Sequence, residues 1–135
     1  MEYRYSISKR MEVAGSHQLT LDYDSKCRNV HGHNWIITVF CRANTLNHNG
    51  MIIDFKHIKN IIHDRLDHQH VNDVLPSDIN PTAENMAAWV LSEINDKFVE
   101  LNAIDGSDGE CYKVTVQESE GNIACCSLGG CGGVL

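Results

Sequence analysis

The stretch Cys27-Arg-Asn-Val-His31-Gly-His33-Asn-Trp35 sets a thiol and two imidazoles directly before a β-forming run, Trp35-Ile-Ile-Thr-Val-Phe-Cys41. Side chains alternate along a strand. If strand geometry already holds at His31, both histidines share a face with Trp35, Ile37, Val39 and Cys41, and Ile36, Thr38 and Phe40 share the other. Two imidazoles on one strand face, with a glycine between, suit a divalent metal such as Zn²⁺. A histidine-containing loop ahead of a strand is the plain alternative. Both faces of the run are largely apolar, which predicts a strand covered on both sides, by helices on one and a neighbouring subunit on the other.

Upstream, Tyr3-Arg-Tyr-Ser-Ile7 and Met11-Glu-Val-Ala-Gly-Ser-His17 alternate as a half-buried strand would, with a bend expected at Lys9-Arg10. His17 shares parity with Met11 and Val13, so it faces inward, as a hydrogen-bonded core residue or as a ligand. Residues 19–28 read as a polar loop that carries Cys27 back to the sheet. Downstream, Asn49-Gly50 marks a tight turn, and Met51-Ile-Ile53 reads as a short return strand. Asp54 is placed to cap a helix whose apolar positions are Phe55, Ile58, Ile61, Ile62 and Leu66. After a loop over 72–81, Pro81-Thr82 starts a second helix, with Thr82 as cap and Glu84 in the first turn. Met86, Trp89, Val90, Ile94 and Phe98 form its buried stripe. Residues 110–118 alternate again, with Tyr112, Val114 and Val116 inward and Glu118 at the same parity. A carboxylate ending an apolar row sits at a wet rim or serves as an anchor. A turn at 120–122 leads to a last strand over 123–127, and the Gly-rich tail 128–135 is expected to be mobile. The order strand, strand, helix, helix, strand, strand is an α+β arrangement with a four-stranded antiparallel sheet.

The 135 residues suit one domain, 1–135. No apolar run is long enough for a transmembrane helix and no signal-peptide layout opens the chain, so no membrane partner and a cytoplasmic location are expected. The six cysteines accordingly read as reduced thiols, and no Cys-x-x-Cys pair suggests a zinc ribbon. A formal net charge of −7 argues against nucleic-acid binding but leaves room for a small phosphorylated substrate.

Taken in order, Ser16-His17, Cys27-x-x-x-His31-Gly-His33-Asn34, Gly50-Met-Ile-Ile-Asp54-Phe55, Leu66-Asp67-His68, Pro81-Thr82-Ala-Glu84-Asn85 and Glu118 resemble the 6-pyruvoyl-tetrahydropterin synthase / 6-carboxytetrahydropterin synthase family. The resemblance covers residues 3 to about 124 and departs in the tail, where Cys125, Cys126 and Cys131 have no matching role. It implies the tunnelling fold, in which subunit sheets join into a barrel, in a homo-oligomeric trimer or hexamer with active sites at subunit interfaces. It further implies that His17, His31 and His33 hold Zn²⁺ with one coordination position open, as in a catalytic site. Cys27 then matches the general base, a fourth zinc ligand being the alternative. Asp67 and His68 match a proton-relaying pair, and Glu118 the carboxylate that anchors the pterin. Thr82 and Glu84 serve as helix-capping residues, substrate-binding residues, or both. Lys9, Arg10, Lys26 and Arg28 are candidates for the triphosphate.

The substrate so implied is 7,8-dihydroneopterin triphosphate. Three residues between Cys27 and His31 resemble the branch that makes 6-carboxy-5,6,7,8-tetrahydropterin, acetaldehyde and triphosphate for 7-deazapurines such as queuosine. The branch that eliminates triphosphate to give 6-pyruvoyl-tetrahydropterin is the alternative. A non-catalytic, zinc-stabilised pterin-binding module is the reading of another class; the presence of Cys27, His68 and Glu118 speaks against it.

Overall fold

The computed structural model describes residues 2–131. Strand β1 (Tyr5–His17) and strand β2 (His31–Ala43) pair antiparallel along their whole length, with Tyr5 opposite Ala43 and His17 opposite His31. The unbroken register leaves no bend at Lys9-Arg10. Alternation holds throughout β2: Trp35, Ile37, Val39 and Cys41 are buried, while Ile36, Thr38 and Phe40 are half-buried on the opposite face.

Asp54 accepts from Lys56 N at 2.9 Å and starts the first helical stretch. This stretch runs as α1 (Phe55–Ile58), a wide π-helical turn (Lys59–His63) and α2 (Asp64–Leu66). Next come β3 (Gln69–His70), α3 (Val71–Val74), the long α4 (Ala83–Asp105), β4 (Glu110–Ser119) and β5 (Asn122–Ser127). Among the described residues the sheet is five-stranded, in the order β3-β1-β2-β4-β5, rather than four-stranded. The extra strand pairs parallel to β1 through Gly15↔Gln69 and Ser16↔His70. Two residues are too few for alternation to reveal. Gly15 makes the pairing possible, since a Cβ there would lie 2.7 Å from the Gln69 carbonyl oxygen.

Thr82 caps α4 by accepting from Asn85 N at 3.1 Å, and Met86, Val90, Ile94 and Phe98 bury its core stripe against the sheet. Trp89 is only half-buried, at the margin of that stripe, with the Arg65 guanidinium 4.8 Å above its ring.

Four further expectations need correction. Residues 51–53 form no strand: Met51 N donates to Asn47 Oδ1 and Met51 O accepts from Asn47 N, so the chain closes on its own turn. Ile52 and Ile53 still enter the core. In β4 the ladder slips between Phe40 and Cys41, leaving Tyr112 as the extra residue. Cys111 therefore takes the core position, and Tyr112 turns to the other face, where Arg42 stacks on it at 4.7 Å. The loop 72–81 opens with three of the four residues of the single-turn helix α3 rather than being irregular throughout. Finally, Cys125 and Cys131 are disulfide-bonded, against the expectation of thiols throughout. Leu128 N still pairs with Tyr112 O, and the chain then turns through Gly130 at φ +87, which returns Cys131 to β5. Of the tail expected to be mobile, 132–135 lie outside the described residues. Among the described residues no helix is long and apolar enough to cross a membrane.

Candidate metal centre and substrate cleft

His17 closes β1, and His31 and His33 open β2. The register that sets His17 opposite His31 therefore brings three imidazoles onto the core face at one end of the sheet. One nitrogen from each ring lies within 4.8 Å of the others. Trp35 floors the cluster, its ring 5.0 Å from His17 and 5.2 Å from His33 between centroids.

Hydrogen bonds at the outer nitrogens dictate what the inner ones present. His17 Nδ1 lies 2.8 Å from the Pro81 carbonyl oxygen, and His31 Nδ1 lies 2.8 Å from that of Asn29. A carbonyl only accepts, so both Nδ1 atoms carry hydrogen, and each neutral ring turns a bare Nε2 inward. Those two Nε2 atoms stand 2.9 Å apart. Facing lone pairs at that distance need a cation between them. Burial is the main force holding His17 below the usual histidine range, and neighbouring His31 and His33 add to it, against the opposing pull of Pro81 and Glu118. His33 Nε2 is buried and has no hydrogen-bond partner among the described residues. The donor set thus fits a metal ion, and the carbonyls of Pro81 and Asn29 orient two of the three candidate ligands.

Glu118 reaches the same place from β4. Its carboxylate oxygen Oε1 is 3.6 Å from Nε2 of both His17 and His33. The β4–β5 ladder shifts register between Gln117 and Ser119, so Glu118 has no partner on β5, the kind of irregularity that re-aims a side chain. Beside it opens a cleft of about 440 Å³ lined by Ala83, Glu84, Glu118, Gly121, Asn122, Ile123 and Ala124. Its walls are the first turn of α4 and the β4–β5 hairpin.

Residues 6–128 match the family model described as 6-pyruvoyl tetrahydropterin synthase. The chain belongs to that family. Named 6-carboxy-5,6,7,8-tetrahydropterin synthase, the Synechocystis relative is 31% identical over 101 residues, 69% of this chain and 77% of that one. The Rickettsia conorii protein of the same name is 30% identical over 117 residues, covering 70% and 84%. The Bacillus subtilis one is 25% identical over 71 residues, covering 53% and 49%. Among solved structures, 6-pyruvoyl tetrahydropterin synthase from Caenorhabditis elegans superimposes with a TM-score of 0.67 at 22% identity, over 94% of this chain and 99% of that one. The Plasmodium falciparum enzyme does so at 0.64 and 16%, over 93% and 98%. These neighbours establish the tunnelling fold, and the family places the chain among the tetrahydropterin synthases, enzymes of the lyase class.

The remaining residues of the family pattern divide into two groups. Glu84 lines the cleft with Glu118, and Thr82 adjoins Pro81, whose carbonyl holds His17. Cys27 sits half-buried in a short 3-10 turn, Lys26–Arg28, with its carbonyl oxygen accepting from Leu19 N at 2.9 Å. Asp67 and His68 lie on the other edge of β1. Asp67 Oδ1 accepts from Ala14 N at 3.0 Å, and Oδ2 is 3.4 Å from His68 Nε2. His68 adopts φ 58, donates its backbone N–H to Ala14 O, and leaves its side chain 82% exposed. Within one chain this imidazole thus faces solvent rather than the three histidines.

Sequence reading missed the groups that orient the cluster. The carbonyls of Pro81 and Asn29 belong to the backbone and leave no trace in side-chain identity. The proline preceding a capped helix is the one available signal for the first.

Proposed function

We propose that the protein converts 7,8-dihydroneopterin triphosphate to 6-carboxy-5,6,7,8-tetrahydropterin, releasing acetaldehyde and triphosphate, in the cytoplasmic supply of 7-deazapurines such as queuosine. The observation that carries this reading is the convergence of His17, His31, His33 and Glu118 beside the cleft. The names of the relatives and the Cys27–His31 spacing favour the carboxy branch.

In this reading the three histidines hold Zn²⁺. Bound there, the ion would supply Lewis-acid polarisation of a substrate hydroxyl. Glu118 accepts two N–H donors from the pyrimidine edge of the pterin, a bidentate pairing that fixes its orientation at the cleft. Glu84 and the first turn of α4 form the wall facing it, and Thr82 holds that turn in place through its cap. Cys27, as the thiolate, accepts a proton from the substrate side chain and becomes the thiol. Asp67 orients His68, which exchanges a proton with the same side chain. The exposure of His68 supports a homo-oligomer, trimer or hexamer, whose active sites are completed at subunit interfaces.

The test is mass spectrometry of products after zinc-loaded protein meets 7,8-dihydroneopterin triphosphate. A 6-carboxy product with acetaldehyde is the expected result. A 6-pyruvoyl product would overturn the branch while keeping the residue roles, and no turnover by metal-replete protein would overturn catalysis in favour of a pterin-binding module.

A further inference from the structure

The segment that carries Cys27 leaves the sheet where the ladder stops, because β1 ends at His17 and β2 begins only at His31. Two asparagine side chains take over. Gln18 N donates to Asn72 Oδ1 at 2.9 Å, and Asn72 Nδ2 donates back to Gln18 O at 2.8 Å. Asn80 repeats the pattern on Thr20, with both bonds at 2.9 Å. A carboxamide offers an acceptor and a donor together, as a neighbouring strand residue would. The two amides thus continue the pairing that β3 begins at Gly15 and Ser16.

The opposite side of the same segment grips the thiol-bearing turn. Leu19 N donates to Cys27 O at 2.9 Å, and Gln18 Nε2 donates to Arg28 O at 2.9 Å. Asn80 is itself fixed, its carbonyl accepting from Thr82 N at 2.8 Å and from Asn85 Nδ2 at 2.9 Å. The next residue, Pro81, orients His17. One turn therefore references both a metal-ligand candidate and the thiol segment to the start of α4.

We infer that Asn72 and Asn80 are positioning residues for Cys27, setting through residues 18–20 where the thiol stands relative to the three histidines. This rests on the reading of Cys27 as the proton acceptor. Proton transfer needs placement to within about an ångström, and a misplacement of that size costs on the order of 100-fold in rate.

Asn72→Asp and Asn80→Asp keep size and acceptor but set a second acceptor against the Gln18 or Thr20 carbonyl. Each is expected to lower kcat by about 10- to 100-fold, with KM changed less than about threefold and bound zinc unchanged. Amide hydrogen exchange over 19–28, read by mass spectrometry, should quicken. In a Cys27→Ala background the same substitutions should add no further loss, because groups acting as one unit are not additive. A loss of equal size in that background, or an undiminished kcat in the single variants, overturns the inference. Full turnover by Cys27→Ala alone would place the error in the role of Cys27, and unchanged exchange over 19–28 would place it in the clamp.

Discussion

Gly15→Ala offers a sharp test of how the Asp67–His68 edge is held. The new methyl would lie 2.7 Å from the Gln69 carbonyl oxygen and 3.2 Å from Trp35 Cζ3. Neither neighbour yields easily, since the first is backbone and Trp35 is fully buried. Relief requires β3 to move away from β1. That movement loosens His68 N–H to Ala14 O (2.6 Å), Ala14 N–H to Asp67 Oδ1 (3.0 Å) and the Ser16 Oγ to His70 Nδ1 contact (2.9 Å). Three hydrogen bonds at about 1 kcal/mol each, with about 1–3 kcal/mol for overpacking, outweigh the roughly 0.5–1 kcal/mol gained by replacing glycine in a strand. The expected net loss is about 3–5.5 kcal/mol. With a urea m-value of about 2 kcal/mol/M, the unfolding midpoint should fall by about 1.5–2.8 M at unchanged slope. Turnover measured under conditions where the variant stays folded should also fall, because Asp67 and His68 shift together. Gly32→Ala, whose methyl would stand 3.2 Å from Gly15 O, should cost visibly less. A Gly15→Ala midpoint indistinguishable from wild type would refute the account of β3.

Other consequences can be checked directly. Zinc-loaded Cys27→Ala should retain the added metal by elemental analysis while turnover drops about 10²- to 10⁴-fold; zinc lost with the thiol would make Cys27 a ligand. The metal-free protein should lose stability as pH falls below about 6.5, the pKa of an unfolded histidine. Folded His17, held low by burial, resists the proton that the unfolded chain accepts, so its contribution is full above that pH and is lost as pH falls through the folded value. Urea midpoints that stay level from pH 8 to 5 would contradict this. Alkylation of the native protein should label Cys27 and Cys126, both half-buried, and spare Cys41 and Cys111 until unfolding. Cys41 has the higher barrier, as its contact with Cys111 and its burial push its pKa up.

The residues of the centre were legible because strand parity is a local property. Alternation around Trp35 placed His31 and His33 inward, and the same count from Met11 placed His17 there. The caps Asp54 and Thr82 were equally local, each bonding to a backbone N–H within three residues. Where a single residue altered the count, the reading slipped: the bulge at Tyr112 exchanged it with Cys111. Local chemistry thus determined which side chains face inward and where the helices start. What lay beyond it were contacts between distant segments. The pairing of two-residue β3, the Pro81 carbonyl on His17, the two asparagine clamps and the return of Cys131 to Cys125 join segments whose proximity no short window encodes. Backbone carbonyls and amides are common to nearly every residue, so only the tertiary structure decides which of them become partners.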